Sequence, residues 1–313
     1  MKGDGARFDL AAARVCVIIN AGSGKKAAAR MAQKLRDRLG PLTLQLELRL
    51  TNKGANLADM ARRAVKDGFD VVGAAGGDGT QAAIAGALAG SNAVMAVIPG
   101  GTFNYFARDL GIGQNVDEAL ARLAQVRTRH VHLGRVNDMV FLNNISLGAY
   151  PEIIKHRENV YDRWGRSRVA AYWSTLAALW SLRQPLSLSV RANGQTRHFC
   201  TALAFVAKSA YQVEAFGLDG AEAIRDGHLV LMVARARRPW PLIRAAIRLA
   251  MGRSARYADF DMIIADDMVL DSRRKRQLVA HDGEKTLMTA PFHTRVQQHG
   301  LAVLVPATEG GAG

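Results

Sequence analysis

The stretch VVGAAGGDGTQAAIAGAL, residues 71–88, decides the fold. Val71 to Ala75 is an apolar run without alternation, the pattern of a strand buried on both faces. Three glycines around one acid follow, GGDGT at 76–80, and Gln81 to Leu88 then takes a helical period. The neighbouring stretches repeat this order. Val15 to Ile19 is a second apolar run, followed by NAGSGKK (20–26) and a helical stretch from Ala27 to Leu39 that Gly40-Pro41 closes. Residues 42–50, LTLQLELRL, alternate as a strand with one wet face, and Asn56 to Lys66 is helical. Ala93 to Ile98 reads as a further buried strand, followed by PGGTFN (99–104) and short helices at Phe103–Leu110 and Asp117–Leu123. Alternating β and α units imply a parallel sheet covered on both faces.

From about His130 the pattern changes to hairpins, with Asn137-Asp138 and Asn193-Gly194 as turns and strands at Leu287–Val296 and Leu301–Val305. The reading is an α/β domain at 1–130, a mostly antiparallel β-sandwich domain at 131–306 and a flexible tail at 307–313. Helix-rich insertions at Glu152–Arg183 and Trp240–Met251 decorate the second domain. A length of 313 residues supports two cores rather than one. Lys plus Arg exceed Asp plus Glu by 42 − 27 = 15, which favours an anionic partner: nucleic acid, a phospholipid surface or a phosphorylated small molecule. Cys16 and Cys200 sit in apolar runs and read as core residues in a reducing compartment, not a disulfide framework. The first twenty residues lack a secretory apolar core. The longest apolar stretch, Val169 to Leu182, is interrupted by serines and a threonine and falls short of the roughly 20 residues a spanning helix needs.

In an open α/β sheet, ligands bind where strands end and helices begin, because free backbone N–H groups collect there. NAGSGKK, GGDGT and PGGTFN all occupy that position. Their glycines bring backbone close to phosphate oxygens, and Ser23, Thr80 and Thr102 add hydroxyls. Asp78 fits this setting if Mg²⁺ lies between it and the phosphates. Taken alone, Gly-Gly-Asp-Gly is also ordinary turn chemistry, with the Asp capping a helix that begins at Thr80. Three such loops in successive units favour the ligand reading.

GGDGT at 76–80, PGGTFNYFARDLGI at 99–112 and HDGEK at 281–285 resemble the diacylglycerol kinase catalytic family, which includes bacterial lipid kinases and sphingosine kinases. The resemblance implies an N-terminal nucleotide-binding domain of the NAD kinase/diacylglycerol kinase type and a C-terminal β-sandwich. It also implies ATP- and Mg²⁺-dependent transfer of the γ-phosphate to a lipid hydroxyl, with a diacylglycerol-like acceptor. The nucleotide contacts it implies are Asn20, Ser23, Gly24, Thr51, Gly76, Gly77, Gly79, Thr80, Gly100, Gly101, Thr102 and Asn104. Asp78 would hold the metal and Asp282 would be the general base, with the assignment of the base between these two acids left open. Glu284 would lie on the same side as Asp282 if the backbone were extended, and would orient the metal or ATP. Taken without the family pattern, residues 281–285 read as an exposed hairpin turn. The sequence departs from the family pattern at Ala82 and Ala83, where relatives carry Asn-Glu after GGDGT, and at Tyr105, where they carry Asp.

A kinase for a bilayer-resident alcohol needs a membrane-facing surface. Trp164, Trp173 and Trp180 among Arg163, Arg166 and Arg168, and the arginine-rich stretch RARRPWPLIRAAIRLAMGRSAR at 235–256, fit an anionic lipid surface. The same stretches also read as helices packed on the sandwich with solvated arginines. The expected location is cytoplasmic, peripheral to the inner face of the membrane. No nucleic-acid module is recognisable, and a homodimer is left open. The alternatives are a non-catalytic lipid- or nucleotide-binding protein of the same fold and an NAD-kinase-like small-molecule kinase. Asn143-Asn144, where that kinase would carry Asn-Glu, argues against the last.

Overall fold

The computed structural model describes residues 5, 7–51, 56–148, 185–236 and 260–307. The two insertions expected at 152–183 and 240–251, with their tryptophans, lie outside the described residues, as does the tail beyond 307. The chain divides into two compact units, one of residues up to Leu133 together with those from Gln297 onward, the other Gly134–Val296. It enters the second unit along one strand, Val126–Val136, and leaves it along another, Phe292–Pro306.

The first unit is built from strands β1 (Arg7–Phe8), β2 (Arg14–Ile19), β3 (Gln45–Leu50), β4 (Val71–Gly76), β5 (Val94–Pro99) and β6 (Val126–Val136). Its helices are α1 (Lys25–Arg38), α2 (Leu57–Lys66), α3 (Asp78–Leu88), α4 (Tyr105–Asp109) and α5 (Val116–Arg122). Parallel pairing runs β3–β2–β4–β5, with Val15 against Val71 and Val71 against Val94. The unbroken apolar runs form the inner strands because both faces are covered: Val15, Val17 and Ile19 pack with Leu35 of α1 and with Leu39 just after it, and Cys16 and Ile18 are equally buried. Burial pushes the Cys16 thiol up to about 11.

Local caps fix the helix starts. Asn56 Oδ1 accepts from the N–H groups of Ala58 and Asp59, and Asn115 Oδ1 from those of Asp117 and Glu118. Helix α3 begins three residues earlier than its apolar period indicates, because the Gln81 N–H already donates to Gly77 O. β3 is an edge strand and has no clean wet face: its interior residues are all half-buried, and Arg49 bridges Glu47 and Asp67 at 2.6 and 2.7 Å.

One strand of this sheet comes from the end of the chain. The last strand, β17 (Phe292–Pro306), lies parallel to β5, with Val303 against Met95. Residues from Gln297 therefore group with the first unit, although the sequence division assigned everything to 306 to the second. Local periodicity registers a strand but not its distant partner.

The second unit is antiparallel. Its strands are β7 (Met139–Phe141), β8 (Asn144–Gly148), β9 (Leu186–Ala192), β10 (Gln195–Thr201), β11 (Leu203–Ala207), β12 (Leu229–Ala234), β13 (Phe260–Ala265), β14 (Asp267–Ser272), β15 (Arg276–His281) and β16 (Glu284–Thr289), with the first part of β17. One sheet runs β10–β9–β14–β17 and the other β13–β12–β11–β8–β15–β16. Their facing residues make one core, with Leu188, Val190, Leu270 and Phe292 from the first and Ile145, Leu147, Val206 and Val279 from the second. A smaller cluster lies on the outer face of the second sheet, where Phe205, Ala207 and Val230 meet Val213 of helix α6 (Ala210–Ala215) and Ile224 of helix α7 (Ala221–Arg225). The strand expected at 287–296 is split: β16 ends at Thr289 and β17 starts at Phe292, across the turn at Ala290-Pro291.

Candidate active site

Three loops of the first unit lie at the carboxyl ends of its parallel strands. Asn20, which follows β2, is half-buried and links two of its neighbours. Its Oδ1 accepts from the Gly22 N–H at 3.0 Å and from the Thr51 hydroxyl at 3.4 Å, while its Nδ2 donates to Thr80 Oγ1 at 2.8 Å. The Ala21 N–H donates to Thr51 Oγ1 at 3.0 Å. Asn20, Thr51 and Thr80, far apart in sequence, are thus one polar cluster.

GGDGT and PGGTFN lie backbone against backbone. The Gly100 N–H donates to Gly76 O at 2.9 Å, and a Cβ on Gly101 would stand 2.6 Å from the Gly77 Cα. A Cβ on Gly76 would meet Thr80 Oγ1 at the same 2.6 Å. Four of the glycines expected to face phosphate are therefore also what lets the loops pack on each other and on α3. Gly24 differs: its φ is 108° and nothing lies within 4 Å of its Cβ position, so only conformation demands glycine and bare backbone is presented. Ser23 belongs to the short turn Ala21–Ser23, and its side chain is outside what the structure describes. Gly79 is half-buried in the first turn of α3.

Asp78 is the first residue of α3, where negative charge is favoured by the helix N-terminus. It does not cap a helix starting at Thr80; Gly77 holds the cap position. Its Oδ1 accepts from the Phe106 N–H at 3.2 Å, tying the second loop to α4. Asn104 is buried and left-handed, with φ 54°. Its Oδ1 accepts from the Gly101 N–H at 2.9 Å, and its Nδ2 donates to Gly101 O and Gln114 O at 3.0 and 2.9 Å. This side chain shapes the loop from within, so the exposed face of the loop consists of Gly100, Gly101, Thr102 and Phe103. Tyr105 stacks on Phe103 with ring centroids 5.4 Å apart.

In the second unit, Asp282 and Gly283 form the two-residue loop between β15 and β16, both with positive φ (46° and 88°). The turn has the expected hairpin form, but its acid points inward and is 4% exposed. Asp282 Oδ2 accepts from the Leu142 N–H at 2.8 Å, and Oδ1 from the N–H groups of Asn143 and Asn144 at 2.7 and 3.3 Å. The carboxylate thus anchors the turn to the start of β8. Because the backbone turns here, the extended geometry expected to align Glu284 with Asp282 is not formed: Glu284 opens β16, exposed, opposite His281. His281 is half-buried with Nε2 2.9 Å from Thr286 Oγ1, and burial pushes its pKa down.

A buried polar group on β8 and α6, next to the strand that Asp282 anchors, was not read as part of the site from the sequence. Asn143, Asn144, Ser146, Ser209 and Gln212 are all buried, and Asn144 Nδ2 donates to Gln212 Oε1 at 3.0 Å. A signal was available, since two Asn and a Ser interrupt the apolar run FLNNISLG at 141–148.

Among the described residues no three His, Cys, Asp or Glu side chains gather as a metal cage. Asp78 alone suits a Mg²⁺ whose remaining ligands are phosphate oxygens and water. The packed glycine loops and the Asn20–Thr51–Thr80 cluster suit a chain of phosphates.

Residues 14–136 match the diacylglycerol kinase catalytic domain. The matched stretch runs from β2 through β6 and contains all three glycine loops, so the resemblance carried by GGDGT and PGGTFN is borne out there. A stretch of 101 residues is 39% identical to a "Probable lipid kinase YegS-like" of Pseudomonas syringae pv. tomato, covering 32% of this chain and 33% of that protein. Another of 152 residues is 30% identical to a similarly named lipid kinase of Streptococcus pneumoniae serotype 4, covering 48% of this chain and 51% of that protein. The chain therefore spans from a third to about half the length of the curated relatives it matches. A diacylglycerol kinase structure from Bacillus anthracis str. Sterne superposes with a TM-score of 0.71 at 19% identity, covering 93% of this chain and 96% of that chain. That likeness shows the fold, a parallel-sheet domain followed by an antiparallel one. Among the described residues, no helix is long and apolar enough to cross a membrane.

Proposed function

We propose that the protein is an ATP-dependent lipid kinase that transfers the γ-phosphate to the hydroxyl of a diacylglycerol-like alcohol. The observation that carries this reading is the junction of three glycine loops at the strand ends, the first two joined through Asn20, Thr51 and Thr80 and the third through the Gly100–Gly76 backbone bond, inside the segment that matches the diacylglycerol kinase catalytic domain. Phosphoryl transfer depends on positioning and charge neutralisation more than on covalent chemistry. In this reading, the exposed backbone of Gly24 and of Gly100 to Thr102 holds phosphate oxygens, with the hydroxyls of Thr80 and Thr102 beside them. Mg²⁺, when bound, neutralises phosphate charge; Asp78 is the residue that would hold it. Asp282 accepts the proton of the attacking hydroxyl, held in one orientation by its three backbone donors. Glu284 keeps an outer role toward metal or nucleotide. The reading also carries a cytoplasmic chain that meets an anionic membrane surface at its periphery, as a monomer or homodimer.

The test is transfer of labelled γ-phosphate from ATP into a panel of lipid alcohols in anionic vesicles, with Mg²⁺ present or chelated. A labelled lipid that requires Mg²⁺ supports the reading and names the acceptor. ATP binding without transfer to any alcohol would instead favour the non-catalytic binding protein.

A further inference from the structure

Asn144 Oδ1 and Ser146 Oγ, on the strand beside Asp282, are left without partners, as is the ring Nδ1 of the adjacent His281. Asn144 and Ser146 are 2% and 1% exposed, and neither Asn144 Oδ1 nor Ser146 Oγ has a hydrogen-bond partner. Native structures leave few buried polar groups unpaired, so two on one strand call for a partner present in another state. Strand alternation puts both on the same face of β8. Asn144 lies opposite Ala207 of β11, while Ser146 lies between Phe205 of β11 and Ala280 of β15. The Asp282 N–H donates to Asn144 O at 3.2 Å, so Asp282 stands across from Asn144 just beyond the end of β15. The cover over this face is one short helix. Helix α6 has six residues; Val213 packs it on Phe205, Ala207 and Val230, the N–H groups of Lys208 and Ser209 before it donate to Asn143 O, and over this face its polar tie is the Gln212–Asn144 bond.

We infer that Asn144 Oδ1 and Ser146 Oγ form a hydrogen-bonding subsite for a head-group hydroxyl of the alcohol acceptor, opened when α6 moves off β8. The inference rests on the kinase reading above and extends it to residues outside the matched domain. The chemistry of the atoms selects the ligand. Asn144 Oδ1 and the Asp282 carboxylate only accept, and Ser146 Oγ either donates or accepts. A bound hydroxyl has one proton to give: it donates to Asn144 Oδ1 on binding and to the Asp282 carboxylate at transfer, while its oxygen accepts from Ser146 Oγ; a phosphate dianion brings no proton. Once the hydroxyl is phosphorylated it loses that proton, so the same atoms favour the substrate over its product.

The probe is 1,2-dioctanoylglycerol in detergent micelles, with the full chain and the Ser146→Ala variant. Loss of one hydrogen bond to an uncharged group raises KM for the probe about tenfold and leaves KM for ATP unchanged. The thermal midpoint of Ser146→Ala does not fall, because the variant removes an unpaired polar group from the interior. An unchanged KM for the probe overturns the subsite, and so does a rise in both KM values together with a lower midpoint, which is the signature of a purely structural role. A second measurement does not depend on turnover: the side-chain amide resonances of Asn144 shift at saturating probe, and no shift overturns the inference. If the wild type binds no ATP, the kinase reading fails while this measurement still decides the subsite.

Discussion

Asp282→Asn is the most informative single substitution because it separates anchoring from chemistry. Asn keeps the shape and tolerates the left-handed φ of 46°, so the turn itself is not at issue. Its oxygen can keep the N–H groups of Asn143 and Asn144, but its amide then faces the Leu142 N–H that Asp282 Oδ2 now accepts at 2.8 Å. A buried unpaired donor costs about 1–3 kcal/mol, and the two surviving bonds lose their charge assistance. The sum is about 2–4 kcal/mol. With a urea dependence of about 2 kcal/mol per molar, the unfolding midpoint falls by roughly 1–2 M. Urea titration followed by circular dichroism measures the shift, and hydrogen exchange at the Leu142 amide locates it. A midpoint within about 0.2 M of wild type, with Leu142 exchange unchanged, would refute the anchoring role. If the anchor is real, turnover of this variant has to be measured in urea-free buffer per folded molecule. The loss there is about 10²- to 10⁴-fold if Asp282 is also the general base.

Other expectations address the first unit and the titrating groups. Gly101→Ala drives a Cβ to 2.6 Å from the Gly77 backbone and destabilises by about 1–3 kcal/mol, whereas Gly100→Ala, whose nearest neighbour is the flexible end of Met31, costs less; paired thermal melts decide. Asp78→Asn weakens Mg²⁺-dependent ATP binding, and an unchanged affinity by calorimetry would remove the metal role. Cys200, expected in the core, lies exposed on β10, so native protein at pH 8 offers it but not Cys16 to a thiol reagent, and full unfolding adds the second thiol. Because the Cys16 thiol is raised to about 11, its contribution to stability is present at lower pH and is lost as pH climbs from about 9 toward 11; denaturant midpoints in that window, compared with Cys16→Ala, check it. His281 is shifted the other way, so its contribution is present above its ordinary range and lost as pH falls through the depressed value, a dependence that His281→Gln removes.

The parts legible in the sequence were those written in local pattern. Buried strands β2, β4 and β5 are unbroken apolar runs, and the glycine loops after them mark the strand ends where Asn20, Thr51 and Thr80 meet. Asn56 and Asn115 announce the helices that they cap. What escaped depends on contacts between distant residues. Asp-Gly predicts a tight turn, but whether its carboxylate faces water or the amides of 142–144 is decided by a strand some 140 positions away. Asn104 matched a binding motif by type, yet its amide is occupied by Gly101 O of its own loop and by Gln114 O beyond α4. Asn144 counted in the sequence only against the small-molecule kinase and Ser146 drew no reading, because their significance lies in single atoms, Oδ1 and Oγ, that lack a partner.

The pairing of Val303 with Met95 also bears on how the chain reaches this structure. β5 leaves the ribosome long before the strand that will lie beside it, and the whole second unit is synthesised in the interval. Until then, β5 presents an apolar edge whose natural occupant does not yet exist, open to any other extended segment. A contact of such sequence separation is slow to form and rewards the chain only at the end. The nascent first unit is therefore the stage most dependent on chaperone protection, and removal of the last strand should yield aggregation rather than a smaller folded domain.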